Sequence, residues 1–254
     1  MKPKGNRPIC AITGGAKRVG RAVATALAAK GWDLALTYRT SDTEAKQLAS
    51  DLARDHGIDT RLDHLDLDDL EAAETYARTL AADLPRLDAL VHNASIYAPC
   101  PLNETTADEA MRYQRVNALA PLLITKHLAP RLASSDQPAG GAIVAFSDVH
   151  VLGRPRDGFA AYAMSKAAIT EMVRSLAIEL APRVRVNAVA PGVVAFPESG
   201  YESDDEAQRA YLERVPLDRP GTPQDAAEAT RWLIEDASYC TGQIIRLDGG
   251  RWLA

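Results

Sequence analysis

Short apolar segments alternate with longer amphipathic ones along the whole chain, and this alternation limits the possible folds more than any other feature. Seven segments are predicted to form strands: Ile9–Thr13, Asp33–Tyr38, Thr60–His64, Ala89–His92, Ala142–Phe146, Val184–Ala190 and Ile244–Leu247. Helical patterns lie between them, at Arg18–Gly31, Thr43–Asp55, Asp69–Ala82, Thr106–Ala133, Ala160–Leu180 and Pro223–Asp236. Strands that are joined through helices run parallel, with right-handed crossovers. The sequence therefore predicts an α/β fold with a doubly wound parallel sheet of about seven strands flanked by helices.

The chain shows no boundary between domains. Its 254 residues contain no Pro/Gly/Ser linker, no repeat and no low-complexity tract, so one domain is predicted for residues 1–254. The long connection from Gly192 to Thr222 is rich in Pro, Gly and acidic residues, with a short helical pattern near Asp204–Leu212. It follows the carboxyl end of a strand, where open α/β sheets bind ligands. We predict a substrate lid around residues 192–222.

Composition excludes several classes of partner. A net charge of −5 without a basic run argues against nucleic acid or an anionic membrane surface. The five histidines are scattered without the spacing of metal ligands, so no metal is predicted. No segment approaches the roughly 18 apolar residues of a membrane span. The cysteines Cys10, Cys100 and Cys240 form no C-x-x-C pair, which favours reduced thiols and a cytoplasmic location.

A glycine-rich loop follows the first predicted strand and opens the first helix, with the sequence Thr13-Gly14-Gly15-Ala16-Lys17-Arg18-Val19-Gly20. Small residues let the backbone approach a pyrophosphate, and a helix N-terminus presents free N–H groups to its charge. Such a match is weak alone, but the strand before it and the helix after it strengthen it. We predict a Rossmann-type dinucleotide site in which the loop contacts are Gly14, Lys17, Arg18, Val19 and Gly20.

The end of the second strand predicts which dinucleotide binds. Tyr38 is followed by Arg39-Thr40-Ser41, without Asp or Glu at this tip. A carboxylate here would bind the ribose 2′-hydroxyl of NAD, whereas an arginine accommodates a 2′-phosphate through charge-assisted bonds. A lone arginine is usually a solvated surface residue, but this position favours a phosphate contact. We therefore predict NADPH as the cofactor.

Tyr162 and Lys166 lie four residues apart on a predicted helix, so their side chains share one face. An ammonium near a phenol stabilises the phenolate and lowers its pKa from about 10, which would make the tyrosine a usable proton donor near neutral pH. The Y-x-x-x-K pattern is common by chance. Here it follows a strand that ends in Phe146-Ser147-Asp148 and precedes Asn187-Ala188-Val189-Ala190-Pro191-Gly192.

Taken together and in this order, the motifs resemble those of the short-chain dehydrogenase/reductase family over the whole chain. The shared motifs are the glycine loop, Asp66, His92-Asn93-Ala94-Ser95, Asn117, Tyr162 with Lys166, Pro191-Gly192 and Leu247-Asp248-Gly249-Gly250. The resemblance implies that Asp66 and Leu67 flank the adenine and that Asn117 holds a water relaying protons to Lys166. It further implies cofactor contacts from Asn93, Ala94, Ser95, Tyr162, Lys166, Pro191, Gly192 and Val194. It also implies a homodimer or homotetramer built on the helices near 106–133 and 160–180.

Three departures from the family pattern point to a subgroup. Arg18 replaces the middle glycine of the loop, Ser95 replaces the last glycine of N-N-A-G, and Asp148 stands where a catalytic serine is expected. All three together resemble the pteridine reductases and the bacterial dihydromonapterin reductases. The spacing of fourteen positions from Asp148 to Tyr162 is one longer than usual, so the loop Val149–Phe159 is expected to have a different shape.

The chemistry of Asp148 favours the same subgroup. An ionised carboxylate only accepts hydrogen bonds and would repel the alkoxide that develops from a ketone. It suits a substrate that presents N–H donors or a ring nitrogen that must be protonated. The predicted catalytic residues are Asp148, Tyr162, Lys166 and Asn117, and the predicted substrate contacts are Arg18, Ser95, Tyr97, Asp148 and Tyr162. Tyr97 resembles the aromatic residue that stacks on the pterin, although a packing role explains it equally well.

The leading hypothesis is therefore NADPH-dependent reduction of a C=N bond in a dihydropteridine, such as 7,8-dihydromonapterin, dihydrobiopterin or dihydrofolate, to its tetrahydro form. Tyr162, Asp148 or a water held by Arg18 could each deliver the proton. An alternative is an NADPH-dependent carbonyl reductase of 3-oxoacyl or similar substrates, with Ser147 as the hydrogen-bond donor. A third is a silent NADP(H)-binding regulatory protein, against which Asn117, Tyr162 and Lys166 count.

Overall fold

One parallel sheet of seven strands organises the part of the chain that the computed structural model describes, which is residues 7–194, 196 and 204–254. The strands are β1 Ile9–Thr13, β2 Asp33–Tyr38, β3 Thr60–His64, β4 Ala89–His92, β5 Gly141–Phe146, β6 Val184–Pro191 and β7 Ile244–Leu247. Their order in the sheet is β3-β2-β1-β4-β5-β6-β7, and every neighbouring pair is parallel. The predicted fold class is confirmed, and each predicted strand lies within one residue of its observed bounds.

Helices connect the strands as the periodicity predicts. They are α1 Arg18–Ala28, α2 Asp42–His56, α3 Leu70–Asp83, α4 Ala107–Gln114, α5 Ala120–Leu132, α6 Ala160–Glu179, α7 Asp205–Leu212 and α8 Pro223–Glu235. The segment predicted as one helix over Thr106–Ala133 differs, because a π-helical turn at Arg115–Leu119 separates α4 from α5. Such turns insert one residue into the helical repeat and are frequent at functional sites. Within the described residues, no helix is long and apolar enough to cross a membrane.

Both faces of the sheet are covered by helices. In β1, Ile9 and Ala11 belong to an apolar cluster with side chains of α3, α5 and α6. Cys10 and Ile12 belong to a second cluster with side chains of α1, α2 and α8. Strands that are buried on both sides need apolar residues at every position, which explains the continuous apolar runs in the sequence.

The strand order reverses between β1 and β4, which are neighbours although β2 and β3 separate them in the chain. In open α/β sheets, the carboxyl ends of strands at such a point form the ligand-binding crevice. The glycine loop follows β1 at this edge, and the Asn93-Ala94-Ser95 segment follows β4. Of the predicted lid, residues 195 and 197–203 lie outside the described residues, and the short helix is present as α7. The lid itself stays a prediction.

Candidate active site

A cleft of about 510 Å³ opens at this edge of the sheet and brings most of the predicted site residues together. The predicted residues that line it are Gly14, Lys17, Arg18, Val19, Gly20, Tyr38, Arg39, Thr40, Ser41, Asp66, Leu67, Asn93, Ala94, Ser95, Tyr97, Asp148, Tyr162, Lys166, Pro191, Gly192 and Val194. Asn117 is fully buried and is not among the lining residues. Residues that are far apart in the sequence thus form one continuous surface from the glycine loop to Tyr162.

The glycine loop forms a cradle that side chains would fill. Gly14 has a φ of +65°, and a Cβ on Gly20 would approach the carbonyl oxygen of Gly14 to 2.1 Å. The side-chain amide of Asn93 donates to the carbonyls of Thr13 (3.1 Å) and Gly14 (2.9 Å), so it braces the loop. Lys17, at the N-cap of α1, makes no capping bond to the helix with its side chain. The loop and the uncapped helix N-terminus therefore fit the pyrophosphate of a dinucleotide.

Arg18 has a φ of 48°, in the left-handed region that favours glycine. A non-glycine residue in this conformation is disfavoured by about 1–2 kcal/mol. The side chain is exposed at the cleft. A strained arginine at the position where the family pattern has glycine makes Arg18 a candidate for a functional role.

The tip of β2 holds a cluster of cations and hydroxyls with two acidic residues beside it. Arg39 is exposed at the cleft next to Thr40 and Ser41. Lys17 Nζ lies 2.6 Å from a carboxylate oxygen of Glu44, which lowers the pKa of that carboxyl. Asp42 accepts hydrogen bonds from Lys46 (2.7 Å) and from the hydroxyl of Tyr38 (2.8 Å). Both carboxylates are thus paired with neighbouring side chains.

The predicted catalytic tyrosine, Tyr162, is hydrogen-bonded to Asp148. The Tyr162 hydroxyl donates to Asp148 Oδ2 at 2.6 Å, and Asp148 Oδ1 accepts the backbone N–H of His150 at 2.7 Å. Burial, the negative charge of Asp148 and this hydrogen bond all raise the pKa of Tyr162 well above its usual value. The expectation that Lys166 lowers this pKa is therefore wrong for the structure.

The position of Lys166 explains why its charge does not lower the pKa of Tyr162. Its ammonium donates to the carbonyl of Phe146 at 2.8 Å, and Nζ lies 5.9 Å from the centroid of the Tyr162 ring. The side chain is almost fully buried, and this desolvation lowers the pKa of Lys166 to about 8. A buried ammonium held by a neutral carbonyl has less effect on the phenol than the adjacent carboxylate has.

Asn117 belongs to the π-helical turn, and its side chain forms hydrogen bonds with Ile96 and Ser165. Its Oδ1 accepts the backbone N–H of Ile96 at 2.9 Å. Its Nδ2 donates to the Ile96 carbonyl (3.1 Å) and to the hydroxyl of Ser165 (3.0 Å). These bonds fix the segment after β4 against α6, one residue before Lys166. A role of Asn117 in a water relay stays a prediction.

Ser147 does not offer the hydroxyl that the carbonyl alternative requires. It is 3% exposed, and its Oγ lies 2.5 Å from Oγ1 of Thr170. Thr170 in turn donates to the backbone carbonyl of Lys166. Ser147 lines the cleft, but its hydroxyl is engaged in a buried chain of hydroxyl groups, whereas the neighbouring Asp148 accepts the hydrogen bond of the Tyr162 hydroxyl.

The loop between Asp148 and Tyr162 contributes residues that sequence reasoning did not identify. A 3-10 turn at Val149–Leu152 starts at Asp148, and the loop then brings Arg156 into the cleft. Arg156 Nη1 donates to the Tyr97 hydroxyl at 2.6 Å, and Tyr97 is stacked on Phe159 at 5.0 Å. The long spacing between Asp148 and Tyr162 indicated that this loop is unusual, but only its conformation shows that Arg156 lines the cleft. His150 and Tyr211 also line the cleft without having been predicted.

Comparisons with known proteins agree on the kind of enzyme. A short-chain dehydrogenase model described as enoyl-(acyl carrier protein) reductase matches residues 14–251. The chain is 31% identical to the uncharacterized oxidoreductase YohF of Escherichia coli, covering 97% of this chain and 96% of that protein. It is also 31% identical to the 3-oxoacyl-[acyl-carrier-protein] reductase FabG of Thermotoga maritima, over 95% and 96% of the two chains.

A solved structure is similar over the same length. The acetoin dehydrogenase YohF from Salmonella typhimurium matches with a TM-score of 0.85 at 29% identity, covering 98% of each chain. The named relatives are thus oxidoreductases, and two of the names specify an oxoacyl group or acetoin.

Proposed function

The chain belongs to the short-chain dehydrogenase/reductase family, whose members are oxidoreductases that use a nicotinamide cofactor, and we propose that it reduces a C=N bond of a dihydropteridine with NADPH. The observation that carries this proposal is the hydrogen bond from Tyr162 to Asp148. This bond supports the proposal because it sets a carboxylate beside Tyr162, whereas reduction of a ketone at Tyr162 would need a second hydrogen-bond donor there. A nitrogen heterocycle is the substrate class that benefits from such a carboxylate.

The reduction adds a hydride to carbon and a proton to the neighbouring nitrogen. NADPH, when bound, supplies the hydride. Asp148 accepts N–H bonds from the heterocycle and so orients it. Tyr162 keeps its proton at neutral pH because its pKa is raised, and it shares that proton with Asp148 across 2.6 Å. The raised pKa makes Tyr162 alone a weaker acid than a free tyrosine, so in the proposed reaction the proton comes from the Tyr162–Asp148 pair acting together on the ring nitrogen.

The tip of β2 supports the choice of NADPH. Arg39, Thr40 and Ser41 present a guanidinium and two hydroxyl groups at the cleft. Lys17 adds a second cation nearby, and the carboxylates of Asp42 and Glu44 are paired with Lys46 and Lys17. A 2′-phosphate would meet donors and positive charge there.

Carbonyl reduction is the second candidate, and the comparisons favour it over the pteridine reaction. A 3-oxoacyl reductase and an acetoin dehydrogenase are among the relatives that cover nearly the whole chain. The difficulty is local: Asp148 accepts the bond from Tyr162, and the Ser147 hydroxyl is buried against Thr170. A silent NADP(H)-binding protein is a weaker candidate, because the predicted catalytic residues Tyr162, Lys166 and Asn117 are all present.

An NADPH absorbance assay with two substrate panels distinguishes these candidates. One panel holds 7,8-dihydromonapterin, dihydrobiopterin and dihydrofolate, and the other holds 3-oxoacyl thioesters and acetoin. We expect the best dihydropteridine to exceed the best carbonyl compound by at least about tenfold in kcat/KM. Tyr162→Phe is the control for turnover at this site. Activity on carbonyl compounds alone would reject the pteridine proposal and leave the family assignment intact, whereas inactivity on both panels would favour a binding protein.

A homodimer or homotetramer is proposed as the active assembly.

A further inference from the structure

The indole ring of Trp252, in a 3-10 turn at Arg251–Leu253, lies against the loop that begins at Asp148. The contact is made at Gly153, which ends the 3-10 turn Val149–Leu152. A Cβ on Gly153 would come within 2.6 Å of Cη2 of the indole, and Gly153 has a φ of +121°, which L side chains rarely adopt. The close approach and the backbone conformation thus both require glycine at this point of the loop.

Trp252 is itself anchored outside this loop. Its backbone N–H donates to Oδ2 of Asp248 at 2.9 Å, and Oδ1 of the same carboxylate accepts the N–H of Gly250 at 3.0 Å. The Cζ atom of Arg246, on β7, lies 4.2 Å from the centroid of the indole ring, which is a cation–π contact. The tryptophan is therefore tied to the sheet and can support the loop that rests on it.

Two hydrogen bonds connect the supported part of the loop to Asp148. Arg154 follows Gly153, and its Cζ lies 6.0 Å from the centroid of the same indole ring. The carbonyl of Arg154 accepts a hydrogen bond from Nδ1 of His150 at 2.8 Å. The backbone N–H of His150 donates to Oδ1 of Asp148 at 2.7 Å. The loop thus binds one oxygen of this carboxylate, while the other oxygen accepts the hydroxyl of Tyr162.

We infer that Trp252 is a positioning residue for Asp148, because it supports the loop that orients this carboxylate towards Tyr162. Trp252 is not among the residues that line the cleft, so it acts through the loop rather than by contact with substrate or cofactor. The inference rests on the dihydropteridine reductase activity proposed above, in which Asp148 orients the heterocycle. It adds a determinant of that activity that lies outside the cleft.

A double-mutant cycle tests whether Trp252 acts through Asp148. We expect Trp252→Ala to lower kcat/KM for the best dihydropteridine about tenfold, while the Kd for NADPH stays within about twofold. Trp252→Phe keeps a shorter ring, so its loss should be smaller. When Asp148→Ser is already present, Trp252→Ala should cost less than about threefold, because the carboxylate that it positions is gone. Trp232→Ala, on α8 and 41% exposed, is the matched control for loss of a tryptophan.

Hydrogen exchange reports on the loop without any substrate. The backbone N–H of His150 is protected by its bond to Asp148, so it should exchange faster in Trp252→Ala than in wild type. The amides of α2 should keep their exchange rates, because this helix does not belong to the loop.

The same loss from Trp252→Ala with and without Asp148→Ser would overturn the inference, because Trp252 would then act independently of Asp148. An unchanged kcat/KM in Trp252→Ala would overturn it as well. If wild type reduces no dihydropteridine, the proposed activity fails, and hydrogen exchange alone decides on Trp252. Faster exchange confined to the loop would support the positioning role, whereas unchanged exchange, or faster exchange throughout the chain, would reject it.

Discussion

The hydroxyl of Tyr162 donates a 2.6 Å hydrogen bond to the carboxylate of Asp148. Two acidic groups therefore share one proton at the point where the proposed substrate would be protonated. Burial is the largest cause of the raised pKa of Tyr162, and the charge of Asp148 is the next. Tyr162 stays protonated near neutral pH and donates its hydrogen bond to Asp148. The pair therefore consists of one donor and one acceptor, whereas reduction of a ketone uses two donors that bind the carbonyl oxygen.

Replacing Asp148 by serine is expected to change the substrate class. A hydroxyl can donate to a developing alkoxide, but it cannot replace the charge-assisted bond that a carboxylate accepts from a ring N–H. We expect kcat/KM for the best dihydropteridine to fall by about one to two decades and weak activity on ketones to appear. Wild-type activity on 3-oxoacyl substrates that is indifferent to Asp148→Ser would contradict this role.

Replacing Asp148 by asparagine should lower the pKa of Tyr162. The substitution keeps the size of the side chain but removes the negative charge that disfavours the phenolate. In a spectroscopic titration of phenolate absorbance, with Tyr162→Phe subtracted as the blank, the Tyr162 transition should move to lower pH. Burial is unchanged, so the pKa should remain above that of a free tyrosine. A transition at the same pH in both proteins would show that Asp148 does not control this proton.

The element pattern could be predicted from the sequence, because strands buried on both faces need continuous apolar runs and helices need amphipathic ones. The π-helical turn at Arg115–Leu119 could not, since one inserted residue barely changes the periodicity over such a long apolar segment. Motif order also predicted that Asp148, Tyr162 and Lys166 come together. Which of them bonds to which depends on side-chain directions, and Lys166 donates to Phe146 instead of to the phenol. The presence of Arg156 in the cleft depends on the conformation of the loop between Asp148 and Tyr162, which the sequence pattern does not predict.

Lys166 is expected to lower stability at neutral pH. Desolvation lowers its pKa to about 8, so the charged form is disfavoured in the folded protein by about 3 kcal/mol relative to the unfolded chain. In wild type, the hydrogen bond from Lys166 to the Phe146 carbonyl offsets about 1 kcal/mol of this desolvation cost. Lys166→Met removes that bond together with the buried charge. In urea unfolding at pH 7, we expect Lys166→Met to be about 2 kcal/mol more stable than wild type but inactive.

The same variant tests the sign of the pH dependence. Between pH 8 and about 10.5, Lys166 is neutral in the folded protein but protonated in the unfolded chain, so the unfolded state binds more protons. The free energy of unfolding of wild type should then rise with pH relative to Lys166→Met, and the difference should shrink. A variant that is less stable than wild type at pH 7 would mean that the buried charge is compensated in the folded state.

Arg39 is expected to determine the preference for NADPH. Arg39→Asp places a carboxylate at the tip of β2, where it would repel a 2′-phosphate and could accept a bond from a ribose hydroxyl. We expect kcat/KM with NADPH to fall by about ten- to a hundredfold while that with NADH is kept or improved. Arg78→Asp, on the exposed surface of α3, controls for the change in net charge. Equal efficiency of wild type with both cofactors would remove the argument from Arg39-Thr40-Ser41.

Arg18→Gly should separate stability from activity. The φ of 48° at Arg18 is unfavourable for an arginine but not for glycine, so the substitution relieves strain. Glycine has more conformational entropy to lose on folding, and this cost offsets part of the relieved strain. We expect a net gain of about 0.5–1 kcal/mol in the free energy of unfolding.

The activity should change in the opposite direction. Because glycine restores the ordinary loop, the Kd for NADPH should stay within about an order of magnitude, whereas kcat/KM for the dihydropteridine should fall about tenfold or more. Arg18→Lys is the matched control: it keeps both the positive charge and the strained φ, so it should be no more stable than wild type and should retain part of the activity. If Arg18→Gly is stabilised but its kcat/KM with dihydropteridine is unchanged, Arg18 contacts only solvent and phosphate, and its strained conformation has no role in substrate binding.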